Sequence, residues 1–260
     1  MSLVFAAHPS LVAYLTCGDP DLTTTKEIAV AAINAGADIL ELGVPFSDPV
    51  ADGPVIQRAS QRALEQGTKL ADVLELAREL RKHNSETGLI VFSYLNPILQ
   101  FGFEKFADAA RQARIDGGLI IDLTVEEAGE YLRIMRARGL ATVFLAAPTS
   151  TDDRLRRMAK ASTGFVYAVS RTGVTGERNE LANDARDLVR RVRRFTKLPI
   201  AVGFGISAPE QVAEVGKFAD GAVVGSAIVR CIEEAGPARA PARVAELIAR
   251  LKGKSVARTL

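Results

Sequence analysis

The chain contains no tryptophan, two cysteines and two histidines in 260 residues. Cys17 and Cys231 are too few for a disulfide framework and lack a metal-ligand spacing. With only His8 and His83 beside them, no His/Cys metal cluster can be built. No apolar run reaches the roughly 18 residues that a membrane span needs. The first residues, MSLVFAAHPS, lack a charged n-region and a long apolar segment, which predicts no signal peptide. A formal charge of +2 is too small to point to nucleic acid or a membrane surface as partner. The Arg-rich stretch from Arg186 to Arg194 reads as the solvated face of a helix whose buried stripe is Leu188, Val189 and Val192. The chain reads as cytoplasmic.

What is present is ample apolar material, 48% of residues, with an ordinary charged fraction of 25%. Short apolar, β-branched runs alternate with helix-period segments from end to end. The strand candidates are 11–16, 37–43, 89–95, 117–123, 141–147, 164–170, 199–205 and 221–227, and the clearest helix candidates are TTTKEIAVAAINAG, KLADVLELARELRKH and FEKFADAARQAR. Near-continuous apolar strands predict burial on both faces, as in a parallel sheet covered by helices. Eight such units without a break in composition predict one α/β domain over residues 1–260, a (β/α)8 TIM barrel. An open doubly wound sheet is the alternative, but the first strand is followed by no Gly-rich dinucleotide loop. Gly36, Gly88 and Gly139 stand where helix C-caps are expected.

Active sites of such barrels lie at the C-terminal strand ends. There the segment ELGVPFSDPVADGP (41–54) places Glu41 inside the second strand, on one face with Ile39 and Gly43. A carboxylate there is either a desolvated acid–base group with a raised pKa or a rim residue bonded to backbone or arginine. In the following loop, Asp48 and Asp52 are turn-formers, a cap of the next helix, or site groups. SRTGVTGER (170–178), GFGIS (203–207) and VGSA (224–227) are Gly-bearing loops that either cradle a phosphate or pack tightly. Every lysine falls on a helix or loop, which disfavours a Schiff-base aldolase, and no strand end carries histidine. Tyr167, on the sixth strand, is a polar helper or simple packing.

Six stretches carry a resemblance: AYLTCGDPD, ADILELGVPFSDPVADGPVIQ, SYLNPI, YAVSRTGVTGER, PIAVGFGIS and VVGSAIV. In this order, over nearly the whole chain, they resemble the α subunit of tryptophan synthase. The resemblance implies retro-aldol cleavage of indole-3-glycerol phosphate to indole and glyceraldehyde 3-phosphate. It implies Glu41 as general acid–base, Asp52 as acceptor of the indole N–H, and Tyr167 as a supporting tyrosine. It puts Gly176, Gly205, Gly225 and Ser226 at the phosphate, Thr175 and Arg171 in a mobile lid, and Tyr14 against the indole. It further implies no cofactor in this subunit, and an α2β2 complex with a pyridoxal-phosphate β subunit met by Pro45 and Asp48. A stand-alone lyase releasing free indole and a catalytically silent regulatory subunit are the rival readings. Two departures accompany the resemblance: only a short stretch precedes the first strand, where relatives carry a helix closing the barrel bottom, and Thr124 stands where proline is usual.

Overall fold

The computed structural model describes residues 5, 7–169, 178–203 and 205–253, the side chains of 178–182 excepted. Eight parallel strands pair in chain order and close on themselves: β1 Ser10–Thr16, β2 Ile39–Gly43, β3 Gly88–Ser93, β4 Gly117–Ile120, β5 Ala141–Ala146, β6 Val166–Val169, β7 Ile200–Gly203 and β8 Gly221–Val224. β8 returns to β1 with Ser10 opposite Gly221, so no strand is left with a free edge. The described helices are α1 Leu22–Ala35, α2 Pro54–Glu65, α3 Leu70–His83, α4 Leu95–Phe101, α5 Phe103–Gln112, α6 Gly129–Ala137, α7 Asp152–Ala161, α8 Arg178–Arg193, α9 Pro209–Gly216, α10 Ser226–Ala235 and α11 Ala240–Leu251. The expected (β/α)8 barrel is the observed one.

Alternation along each strand sorts the core into two clusters. Leu11, Ala13, Leu15, Leu40 and Leu42 face outward into the helix layer. Val12, Tyr14, Ile39, Ile90, Phe92, Leu119, Val143, Ala201 and Val223 face inward and fill the lumen. A lumen packed in this way is a solid support for groups at its mouth. Strand pairing stops short of several expected C-terminal ends, because the chain turns there into functional loops and helix starts. At β3, for example, the Leu95 N–H leaves the sheet and donates to Asp122 Oδ1 at 2.7 Å as α4 begins.

Of the three glycines expected as helix caps, Gly36 caps α1 with φ +113° and Gly139 follows α6 with φ +68°. Gly88 is instead the first residue of β3; α3 ends at Asn84, whose side-chain oxygen accepts from the N–H groups of Glu86 and Thr87. Thr124 lies in the turn after β4, its hydroxyl donating to Glu127 at 3.0 Å. Three arginines of α8 form exposed pairs, as expected, Arg186 with Glu214, Arg190 with Asp187 and Arg193 with Asp220, above buried Leu188, Val189 and Val192. Arg191, in contrast, is partly buried against Asp152 and the carbonyls of Pro148 and Ser150. At the N-terminal end of the barrel, Phe5 stacks edge-on against Phe165 at 5.5 Å and reaches Gly221, covering lumen side chains.

The same end is braced by a buried ion pair. Arg81 donates to Asp116 Oδ2 at 2.5 Å and to the carbonyls of Thr87 and Arg114, while Asp116 Oδ2 also accepts the Leu89 N–H at 2.8 Å. The pair joins α3 to the starts of β3 and β4. Removing the cation leaves a buried, uncompensated carboxylate, so Arg81→Met should cost about 3–5 kcal/mol. Denaturant unfolding checks this, and a variant as stable as the parent would show that the pair braces nothing.

Candidate active site

The site begins with one residue that barrel geometry forces inward. Glu41 lies opposite Tyr14 in the β1–β2 register and is 1% exposed. Its Oε1 is buried without a hydrogen-bond partner among the described residues. Loss of hydration pushes the carboxyl up to about 8, so it is largely neutral at neutral pH. Among the described residues, no backbone group or arginine satisfies Oε1, as the rim reading would require.

Two phenols flank it, each seated over a glycine of the neighbouring strand. A Cβ on Gly43 would stand 2.4 Å from Tyr14 Oη, and one on Gly203 would stand 2.5 Å from Tyr167 Oη. Any side chain at either position would displace the hydroxyl. Thr16 Oγ1 donates to Tyr14 Oη at 3.4 Å, and the Tyr14 ring packs edge-on against Phe92 at 5.1 Å. Burial, and then the carboxylate of Asp52, hold the Tyr14 phenol well above its ordinary range. Burial, followed by Glu41 and Asp52, does the same for Tyr167. Both tyrosines are therefore neutral, and both feel the charges of Glu41 and Asp52.

Asp52 comes from the loop between β2 and α2. It does not cap the helix: the N-cap is Gly53, without a side-chain cap. Its Oδ2 accepts from Tyr94 Oη at 3.0 Å. Partial burial raises its carboxyl and the Tyr94 bond lowers it, with burial the larger effect. Tyr94 went unnoticed in the sequence, although its place immediately after β3, at the C-terminal mouth, is a signal that could have found it. In the same loop Pro45 is buried, whereas Asp48 is exposed and accepts from the Ser47 hydroxyl at 2.5 Å. Val50 is 86% exposed.

On the other side of β1, after β8, α10 begins at Ser226 with Gly225 as its N-cap. First-turn N–H groups lack intrahelical acceptors and carry the positive end of the helix dipole, which suits an anion. A Cβ on Gly225 would meet Tyr14 Cβ at 3.6 Å, an ordinary contact, so packing alone does not demand glycine there. Gly205 is exposed, with φ +77°, a backbone that glycine adopts at little cost. Arg171, Thr175 and Gly176 lie outside the described residues. No group of three His, Cys, Asp or Glu able to hold a metal occurs among the described residues.

A buried neutral acid, a second carboxylate on a loop, two phenols and a helix N-terminus together face the C-terminal mouth of one barrel. A family model described as tryptophan synthase alpha chain matches residues 4–256. The chain belongs to the tryptophan synthase alpha chain family. The relative from Solibacter usitatus is 56% identical over 225 residues, covering 86% of this chain and 84% of that one. The one from Geotalea daltonii is 44% identical over 243 residues, covering 94% and 92%. Among solved structures, tryptophan synthase subunit alpha from Legionella pneumophila str. Paris superposes with a TM-score of 0.87 at 36% identity, covering 94% of this chain and 92% of that one. A chain of the tryptophan synthase complex from Pyrococcus furiosus superposes with 0.86 at 41%, covering 94% and 98%. The activity is accordingly the α reaction of tryptophan biosynthesis, a lyase step that cleaves indole-3-glycerol phosphate.

For an alpha chain of this family, the buried Glu41 has a consequence for stability. Its folded-state pKa of about 8 exceeds the ordinary 4.5, so the folded protein holds the proton more tightly than the unfolded one. Stability is therefore lost as pH rises from the unfolded value through the folded one. Glu41→Gln should raise Tm, and the gain should grow between about pH 5 and about pH 9. Scanning calorimetry at both pH values checks this; a gain that did not change with pH would mean that the carboxyl is hydrated.

Proposed function

We propose that Glu41, Asp52 and the helix N-terminus at Ser226 carry the retro-aldol cleavage. The observation that carries this reading is the lone buried carboxyl in the lumen, neutral near pH 7 and without a described partner for Oε1. Neutral Glu41 gives its proton to indole C3 while the Asp52 carboxylate accepts from the ring N–H and stabilises the positive charge formed on the ring. Glu41, now anionic, takes the proton of the side-chain hydroxyl on the adjoining carbon. That carbon becomes an aldehyde, the bond to C3 breaks, and its electron pair returns to the ring. Indole and glyceraldehyde 3-phosphate leave, and Glu41 ends protonated as it began. Tyr14 lines the indole side and Tyr167 orients the substrate. Gly205, Gly225 and Ser226, with Gly176, hold the phosphate, and Arg171 and Thr175 belong to the loop that covers it.

The substrate's two ends suit the two ends of the mouth. The phosphate meets uncapped amides and the dipole of α10, while the indole lies toward Tyr14 and the carboxylates. We further infer that the chain works with a tryptophan synthase β subunit in an α2β2 assembly. Exposed Val50, two residues from exposed Asp48, supports a partner face on the Asp52 loop. Turnover of the isolated chain with and without a β subunit tests this. A large rise on addition supports coupling, and high solo turnover that does not respond supports a stand-alone lyase.

Glu41→Gln and Asp52→Asn should each lower turnover by at least about 10²-fold with the fold intact. Steady-state assay of indole release checks both, and near-normal turnover of either variant would remove that residue from the mechanism. In the parent, kcat/KM should fall toward acid as Asp52 takes a proton, and toward alkali as Glu41 loses its own near about 8. A profile flat through the alkaline side would contradict the assignment of Glu41 as the acid.

A further inference from the structure

Tyr94 makes two hydrogen bonds whose directions follow from the donors available. The Ala51 N–H can only donate, and it does so to Tyr94 Oη at 3.0 Å. The hydroxyl proton is then free to point elsewhere, and the geometry commits it to Asp52 Oδ2 at 3.0 Å. One phenol thus holds the backbone of residue 51 and the carboxylate of residue 52 together.

The phenol itself is firmly seated. Tyr94 is 3% exposed. Its ring lies against Phe46, centroid to centroid 5.0 Å and tilted by 30°, so the contact returns to the same loop. On the other side the backbone is tied to the barrel: Ser93 Oγ donates to the Tyr94 carbonyl at 2.8 Å, and the next N–H donates to Asp122 Oδ1 beyond β4. In contrast, Ser47, Asp48, Val50 and Ala51 are exposed. Asp52 therefore sits on a loop with an exposed outer turn, and its link to the rigid strands passes through Tyr94.

We propose that Tyr94 is the positioning residue for Asp52, fixing Oδ2 and the loop backbone to the end of β3 so that Oδ1 is presented to the indole N–H. The proposal rests on the role of Asp52 given above. Tyr94 touches neither the reacting carbon nor the phosphate in this scheme; it acts through the aspartate. It also lowers that group's proton affinity, against the larger effect of burial. Among the described residues, the titratable groups that act on Asp52 or feel its charge are Tyr94 from the end of β3, Tyr14 from β1 and Tyr167 from β6. All three are phenols held neutral, so the Tyr94 hydrogen bond is the contact that favours the anion.

A double-mutant cycle in the full chain tests this, with indole-3-glycerol phosphate as substrate and Tyr94→Phe, Asp52→Asn and the double variant compared. Phenylalanine keeps the ring and its stack on Phe46. Tyr94→Phe should lower kcat about tenfold, the scale of a hydrogen bond to a charged group. KM should change less than twofold, and the acid limb of kcat/KM should move to higher pH, because a carboxylate without its donor holds its proton more tightly. In the Asp52→Asn background the same change should cost nothing further. Equal losses in both backgrounds, or an unmoved acid limb, would overturn the proposal while leaving Asp52 in the mechanism. Near-normal turnover of Asp52→Asn would overturn the role of Asp52, and the proposal with it.

Discussion

One constraint organises this molecule: the closed ring of strands turns every second residue of β2 into the lumen, and one of those residues is a glutamate. A carboxyl group in such a place cannot be hydrated, so it surrenders its charge rather than its position. The surrounding apolar residues, Ile39, Ile90 and Phe92 among them, keep water out and hold the acid in one place. Barrel stability and acid strength are thus two results of the same packing, since loosening the lumen would both destabilise the ring and rehydrate the glutamate.

The second carboxylate shows the opposite arrangement. Asp52 lies on a loop, partly exposed and hydrogen-bonded by a phenol, and burial raises its pKa against the opposing effect of that bond. Burial pushes both acids up, but only Asp52, on its loop above the strand layer, has a hydrogen bond that opposes the push. The proposed mechanism draws on that difference, taking its proton donor from the lumen and its acceptor from the loop. The third component, the start of α10, costs no charged side chain at all, because it uses the amides that every helix leaves unpaired.

Much of this was legible in the sequence. All eight strands were found, since apolar runs buried on both faces leave a strong signal, and the inward face of Glu41 followed from simple alternation with Ile39 and Gly43. What alternation could not supply was the environment. Whether Glu41 had a partner depended on side chains from β1, β6 and the loop region, far apart along the chain. Whether Asp52 capped α2 turned on one residue of phase, and Gly53 took that place. Gly88 looked like a helix end because glycine ends helices often, but Asn84 had already stopped α3 with its own side chain. Tyr94 was hidden inside SYLNPI because its importance lies in two hydrogen bonds to residues more than forty positions away. Local pattern encodes direction; it does not encode who is met there.

The two glycines beneath the phenols have a further consequence. At Gly43 and Gly203 the missing Cβ is a mould into which the tyrosine of the adjoining strand is cast. Position 14 is therefore coupled to 43, and 167 to 203, as lock-step pairs. Phenylalanine would not lift the steric veto at Gly43, where the ring carbons Cζ and Cε2 would still stand 2.6 and 2.7 Å from a Cβ, so a family member that filled the glycine would have to retract or shrink the ring. Drift at this mouth is expected to proceed by paired exchange across neighbouring strands, and libraries that vary these four positions one at a time would miss most of the accessible pocket shapes.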